Sequence, residues 1–499
     1  MIMENPVLWI LISIQIFMGA FDTLVHHEGS ERLAWRASQK TELRLHGVRN
    51  FFYAVIFLCF AWTEPHGFFT IVLAAILIAE VIITLWDFVE EDLTRKLPWT
   101  ERINHTLLAL NYGAILALAA PYLWMWSFRP TAIVPANYGW WSVMATFAAL
   151  GVGLFCARDL LAAARSDRLD RGNPAQLVAD LSPRQHILVT GGTGFIGRRL
   201  VQALVSAGHF VTVLTRSQHN AEGLAQPVRV ITSLDQVHSA DRVDVIVNLA
   251  GDPVANGLWT ARKRRRIIKS RVEMTEAIGA LVERLNRKPN CMINGSAVGW
   301  YGLRGDEMLS EESTAEPAFV HEVCDKWERS ANKIAQGGVR VVILRIGLVL
   351  GVDGGMLARL LTPFEFGGGG IMGTGQQWMS WIERDDLVRM IAFAIANKDV
   401  KGVINATAPE PVRNADFTQA LAKALHRPAV LRFPVWVLAN MLGDMGRETM
   451  LAGQRVMPTS LLERGFSFRH PKLAPMLRKI TGAKAPAAVK ADPEFRQVT

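Results

Sequence analysis

Three glycines are the first residues in this 499-residue chain whose spacing implies chemistry. In "HILVTGGTGFIGRRLVQALVSAGHFVTVLTRS" a buried-strand run stops at Gly191. A helical pattern follows, with apolar residues at 196, 200, 201, 204 and 205, and a second strand closes the unit. That order is what a dinucleotide phosphate site requires. Gly191 permits the tight turn, Gly194 lets the backbone approach a pyrophosphate, and Gly197 permits close helix–strand packing. Thr193, Phe195 and Ile196 complete the loop and first helical turn, whose free N–H groups and positive dipole end face the phosphates. Arg216 ends the second strand, where an NAD enzyme carries an acid for the ribose 2′-hydroxyl. A cation there suits a 2′-phosphate, so the expected cofactor is NADP, with NAD as the alternative.

Proton-handling groups are harder to place. Tyr301, in "WYGLRGDE", belongs to a Gly-rich loop expected at the carboxyl edge of the sheet, with Arg304 near it to support an anion. Covering the core is the other reading of this tyrosine. Cys324, in "AFVHEVCDKWERS", lies on the helix face marked by apolar residues at 319, 320, 323, 327, 331 and 334. It packs or lines the pocket, or it serves as a catalytic thiol where a cation lowers its pKa. The glycine run 367–370 reads as a mobile loop able to close over a ligand, and Trp378, Trp381, Asp385 and Asp386 follow it as substrate-facing or packing groups.

The elements that position these residues fill only part of the chain. Half the residues are hydrophobic and the mean hydropathy is +0.19, which points to a membrane portion. Apolar runs at 6–25, 48–63, 67–89, 104–127 and 138–157 read as about five spans, the second being short. The first run has no basic leader and contains Gln15 and Asp22, so it reads as a retained helix. Arg32, Arg36, Lys40, Arg44, Arg95, Lys96, Arg102, Arg158 and Arg165 fall in loops on one side; they place the N-terminus outside and everything after residue 160 in the cytoplasm. An inner-membrane protein of bacterial type is expected, with Trp124, Trp126, Trp140 and Trp141 at one interface. Asp22, His26, His46, Glu80, Asp87 and His105 lie in or near the spans. They read as partners pairing across helices. A buried metal or quinone-type site is the other reading, but no motif such as His-x-x-x-His is present and no metal ligands are assigned.

The net charge of +9 comes from scattered basic residues near apolar stretches, which excludes nucleic acid as the expected partner. Cysteines at 59, 156, 291 and 324 show no pairing pattern, so neither disulfides nor a structural zinc site is expected.

"DVIVNLAG" at 244–251 and "INGSAVGWYG" at 293–302, joined to the glycine spacing, resemble the extended short-chain dehydrogenase/reductase superfamily of nucleotide-sugar epimerases and dehydratases. "SAVGWYGLRGDE", "VCDKWE", "GQQWMSWIERDDLV", "NATAPEPVRNADFTQALAKAL" and "GQRVMPTSLLERGFSF" look more narrowly like its divergent epimerase-like branch, which carries its own C-terminal domain of the DUF1731 type. The resemblance covers residues 186–480 and implies a Rossmann-type, doubly wound α/β sheet with a small C-terminal α/β cap domain. By the same resemblance Leu249, Ala250 and Gly251 lie beneath the adenine–ribose side of the cofactor, and Ser296 matches the superfamily's catalytic serine. In that superfamily a Tyr-x-x-x-Lys pair on one helix moves the proton and holds the nicotinamide ribose. Here the aligned positions are Val320 and Cys324, followed by Glu328.

The expected organisation is an all-α transmembrane bundle at 1–160, a linker at 161–184, a Rossmann domain at 185–403, a cap domain at 404–484 and a disordered tail at 485–499. The expected function is a membrane-anchored, NADP-binding oxidoreductase or epimerase acting on a small molecule, with self-association left open. The alternatives are a non-catalytic NADP(H) redox sensor and a membrane electron-transfer enzyme using NADPH.

Overall fold

The computed structural model describes residues 5–95, 97–169 and 172–484. The expected disordered tail and Lys96 lie outside them. The chain divides into two compact units, Met1–Asp170 and Arg171–Thr499.

The first unit contains α1 (Pro6–Phe21), α2 (Lys40–Trp62), α3 (Phe68–Thr94), α4 (Trp99–Ser127) and α5 (Trp140–Arg165). A π-helical stretch, Asp22–Glu31, continues α1, and a short ribbon pairs Thr63–His66 with Ala132–Pro135. Five helical segments are long and apolar enough to cross a membrane. Leu8, Trp9, Phe60, Leu77 and Ile115 share an apolar core, yet Phe17, Ile78, Ile82, Leu110 and Phe147 face outward. Water-facing bundles rarely carry so apolar an exterior. The helix α2 begins eight residues before the apolar run at 48. Its first turns bury Glu42 and His46 against polar partners, and hydropathy does not register this. Trp126 is not at an interface: it is buried in the core, whereas Trp124 and Trp140 are exposed.

Charged groups inside this bundle pair both within a helix and across helices. His26 Nδ1 lies 2.8 Å from Asp22 Oδ1 within one helical turn. Across helices, Glu42 meets Arg95 at 3.0 Å, and His46 meets Asp87 at 3.0 Å. Glu80 accepts the Thr84 hydroxyl at 2.7 Å.

The second unit is built on a seven-stranded parallel sheet: β1 (His186–Thr190), β2 (Phe210–Leu214), β3 (Arg229–Ile231), β4 (Val245–Asn248), β5 (Cys291–Ala297), β6 (Arg340–Ile346) and β7 (Gly402–Ala406). The order is β7-β6-β5-β4-β1-β2-β3, doubly wound, with the reversal between β1 and β4. Alternation assigns the two faces: Val189, Val245 and Val247 pack with α6 (Phe195–Ser206) on one side. Leu188, Ile246, Met292 and Ile343 pack on the other with α7 (Ala261–Arg284) and α8 (Phe319–Gln336).

The division between the units falls inside the segment expected as a linker, of which residues 161–165 complete α5 and Leu177, Val178 and Leu181 join the sheet's core. Residues 402–406 form the sheet's last strand, so the small C-terminal part begins after them. That part packs the helix Asn414–Leu425 against Leu473–Ile480, and Leu461 and Phe466 return to the main core.

Candidate functional site

β1 and β4 run side by side, with Thr190 opposite Asn248, and their carboxyl ends open the crevice where the sheet order reverses. Gly191 has φ +72°, and a Cβ there would lie 2.7 Å from the Leu249 carbonyl. A side chain at Gly197 would come within 2.2 Å of the Gly191 oxygen, so the first helical turn rests directly on the loop. Gly194 is the N-cap of α6; it offers no side-chain cap and the first turn holds no acid. The N–H groups there are open to an anionic ligand. The Phe195 ring lies beneath a glycine loop, where a Cβ on Gly354 would be 2.2 Å from it, and Arg384 stacks on it at 4.8 Å. Thr193 turns its carbonyl to Arg198 Nε at 2.9 Å, and Ile196 packs against the core. Arg216 is exposed just past the end of β2.

Below the crevice a buried polar network fixes the strand ends. Thr190 Oγ1 donates to Asn248 Oδ1 at 2.6 Å, and Asn248 Nδ2 donates to Asn294 at 2.8 Å and Thr275 at 3.0 Å. Thr275 also accepts Trp327 Nε1 at 3.1 Å, tying α7 to α8.

Ser296 Oγ, near the end of β5, donates to Glu328 Oε1 at 2.6 Å. Arg345 grips both Glu328 oxygens at 3.0 Å and stacks over Trp300 at 3.3 Å. All three members of this Ser296–Glu328–Arg345 chain are buried. Burial pushes the Cys324 thiol up to about 11, and the Glu328 charge adds to it. The Ala297 backbone, Arg271 and the Ser296 hydroxyl oppose this by less. Cys324 is therefore a neutral thiol beside Ser296 at physiological pH.

Tyr301 is not on an open loop. Its ring is fully buried and its hydroxyl donates to Asn405 Oδ1 at 2.7 Å, because the chain turns inward through a short 3₁₀ segment after β5. Arg304 is engaged by Glu307 and Glu316 rather than free for an anion. The second half of the glycine run at 367–370 is packed: a Cβ on Gly369 would meet Phe364 at 2.5 Å, and Gly370 pairs with Leu431, whereas Gly367 has open space around it. Trp381 is buried, Trp378 stacks on Arg413 and Arg455, and Asp385 holds Arg199 at 2.6 Å. Val320 joins an apolar cluster with Phe319 and Trp259.

The structure adds groups that motif reading passed over. The start of α7, "ARKRRRIIKSR", braces the loop after β4: Lys263 Nζ lies 2.5 Å from Asp252 Oδ2, and Ser270 accepts the Asp252 N–H at 2.9 Å. Arg271 donates to the Asp252 carbonyl at 3.0 Å and lies where a Cβ on Gly251 would be 2.8 Å from its guanidinium carbon. Its charge also acts on Cys324. The basic run was visible in the sequence, but only the fold brings it to the crevice.

Residues 187–406 match the model of the NAD dependent epimerase/dehydratase family, and residues 433–480 match a domain of unknown function, DUF1731. An Arabidopsis thaliana protein named Epimerase family protein SDR39U1 homolog, chloroplastic, is 40% identical over 301 residues, 59% of this chain and 86% of that one. The chain belongs to this epimerase family. Epimerase family protein YfhF of Bacillus subtilis is 34% identical over 293 residues, 58% of this chain and 95% of the relative. Among solved structures, human epimerase family protein SDR39U1 (isoform 2) with NADPH has a TM-score of 0.55 and 30% identity, covering 60% of this chain and 99% of that one.

Proposed function

We propose that the chain is a membrane-anchored, NADP(H)-dependent oxidoreductase or epimerase acting on a small carbonyl- or hydroxyl-bearing substrate. The observation that carries this reading is the uncapped glycine turn at the β1–β4 switch point, with exposed Arg216 one strand away. The residues fit the cofactor: Gly191, Gly194 and Gly197 leave room that any Cβ would fill or crowd, and the helix end supplies donors for a pyrophosphate. Arg216 takes the 2′-phosphate, and the human relative solved with NADPH supports the same choice. Bound at this site, NADP(H) supplies hydride transfer.

The chain itself handles the proton. In the oxidising direction the substrate hydroxyl gives its proton to Ser296 Oγ as Ser296 passes its own to Glu328 Oε1, 2.6 Å away; in the reducing direction both transfers run in reverse. Arg345 fixes that carboxylate through two hydrogen bonds. Cys324 lines the pocket as a neutral thiol, and Arg271 supplies the cation that a lysine at position 324 would have brought. Tyr301 supports Arg345 from within the core. The apolar exterior and span-length helices of the first unit support membrane anchoring, with the nucleotide site cytoplasmic.

Turnover tests the reading. Purified full-length protein should oxidise NADPH with at least one member of a panel of nucleotide sugars and small carbonyl compounds, or epimerise a nucleotide sugar, and Ser296→Ala should lower the rate by about 10²-fold or more. The absence of a tyrosine at 320 favours a second reading, an NADP(H) sensor; tight binding with no turnover across the panel would select it.

A further inference from the structure

The first unit holds a group of side chains that nothing in the nucleotide chemistry uses. Asp22 and His27, on the π-helical continuation of α1, meet Glu101 and His105 from α4, and one ligand atom from each lies within 4.8 Å of all the others. All four are buried. His105 Nε2 is 3.0 Å from Asp22 Oδ2, while His27 Nε2 is 3.3 Å from that oxygen and 3.6 Å from Glu101 Oε1. Donors placed about 2.0–2.2 Å from a tetrahedral metal stand at comparable separations from one another.

Two further observations point to a ligand. His27 is 6% exposed, yet its Nε2 makes no hydrogen bond, although it faces the two carboxylates. Two of the four, Asp22 and His105, also line a cavity of about 510 Å³ together with Phe17, Leu24, Phe57 and Phe88. That volume is in the range of small-molecule sites.

The surrounding groups orient the four as metal ligands are usually oriented. His105 turns Nδ1 to Glu91 Oε2 at 3.3 Å. Asp22 Oδ1 accepts His26 and Asn104, which leaves Oδ2 for the centre, and Arg95 holds Glu101 at 2.7 and 2.9 Å. Among the described residues, the buried acids Asp22, Glu42, Asp87, Glu91 and Glu101 meet Arg49 and Arg95 as permanent cations, while Arg158 nearby is taken by Glu28. A second grouping of His27, His46 and Glu91 reuses His27. The four-residue group offers the larger donor set.

We propose that Asp22, His27, Glu101 and His105 bind one divalent first-row transition-metal ion whose open side faces the apolar cavity. Two imidazoles with two carboxylates suit zinc, iron or cobalt better than calcium or magnesium. The cavity admits an apolar molecule with one polar group to meet the metal. This site is independent of the nucleotide reading and stands or falls separately from it.

The test uses full-length protein purified in detergent, stripped with a chelator and titrated with Co²⁺ while visible absorption is followed. Wild type should take up about one Co²⁺ per chain and develop ligand-field bands. His27→Ala with His105→Ala should abolish uptake. Glu91→Gln, which leaves all four ligands in place, should weaken it about 10–100-fold. His66→Ala, beside Trp126 at the other end of α4, should change nothing. A wild type that takes up neither Co²⁺ nor Zn²⁺, or uptake that survives the double substitution, overturns the proposal.

Discussion

Replacing Glu328 by Ala removes the carboxylate paired with Arg345, whose side chain is 4% exposed, and leaves Ser296 without its acceptor. Breaking a buried ion pair from one side costs about 3–5 kcal/mol, since the remaining charge stays desolvated. Stacking on Trp300 at 3.3 Å is present in both proteins and cancels in the difference. The expectation is therefore about 3–5 kcal/mol, a large share of a typical domain stability of roughly 5–15 kcal/mol. Urea unfolding followed by tryptophan fluorescence should show a midpoint lower by about 1–2 M, at a slope of about 2–3 kcal/mol/M. Glu328→Gln keeps one acceptor oxygen for Ser296 and Arg345 Nε but turns an amide donor toward Arg345 Nη2, and should cost about half as much in stability. It should still depress turnover, because an amide cannot receive the Ser296 proton. Glu328→Leu with Arg345→Met should recover much of the loss, as apolar replacements of buried pairs do. A Glu328→Ala protein that unfolds within about 0.5 kcal/mol of wild type would refute the claim that this pair organises the site.

Three further outcomes are expected. Cys291 and Cys324 are both pushed up to about 11 by burial, above the ordinary 9.0, so each contributes stability that is complete below pH 9 and lost as pH rises toward 11; alkylation of the native protein should be slow at pH 8 and accelerate across that window. Arg271→Met should weaken NADPH binding about 10–100-fold, the worth of a charged hydrogen bond of roughly 1.5–3 kcal/mol, and Arg271→Lys should restore part of it, as measured by fluorescence titration. Alkaline carbonate washing of membranes should leave the full-length chain in the pellet; its release to the supernatant would contradict membrane spanning.

How much of this was legible in the sequence depended on whether the signal was local. The glycine turn was readable because Gly191, Gly194 and Gly197 sit within one strand–turn–helix unit, and the fold reproduces that context. The doubly wound sheet followed from the same unit and the resemblance over 186–480. Arg345 escaped notice because it lies inside the apolar strand "RVVILRI", and only the packing of α8 brings Glu328 to it. Tyr301 had two readings because a Gly-rich stretch also reads as an open loop; the 3₁₀ turn carries the ring into the core, the second of them. The acidic and imidazole groups of the first unit were visible one by one. His27 and Glu101 gained meaning only when α4 was set beside the π-helical stretch, an arrangement no spacing within one helix encodes.

Nucleotide titration of the purified full-length chain tests the central claim most directly. NADPH should bind at least about tenfold more tightly than NADH, and Arg216→Ala should bring the two affinities together by weakening NADPH alone, as loss of one charged contact worth roughly 1.5–3 kcal/mol requires. Equal affinities in the wild type, or binding of neither nucleotide, would contradict the account.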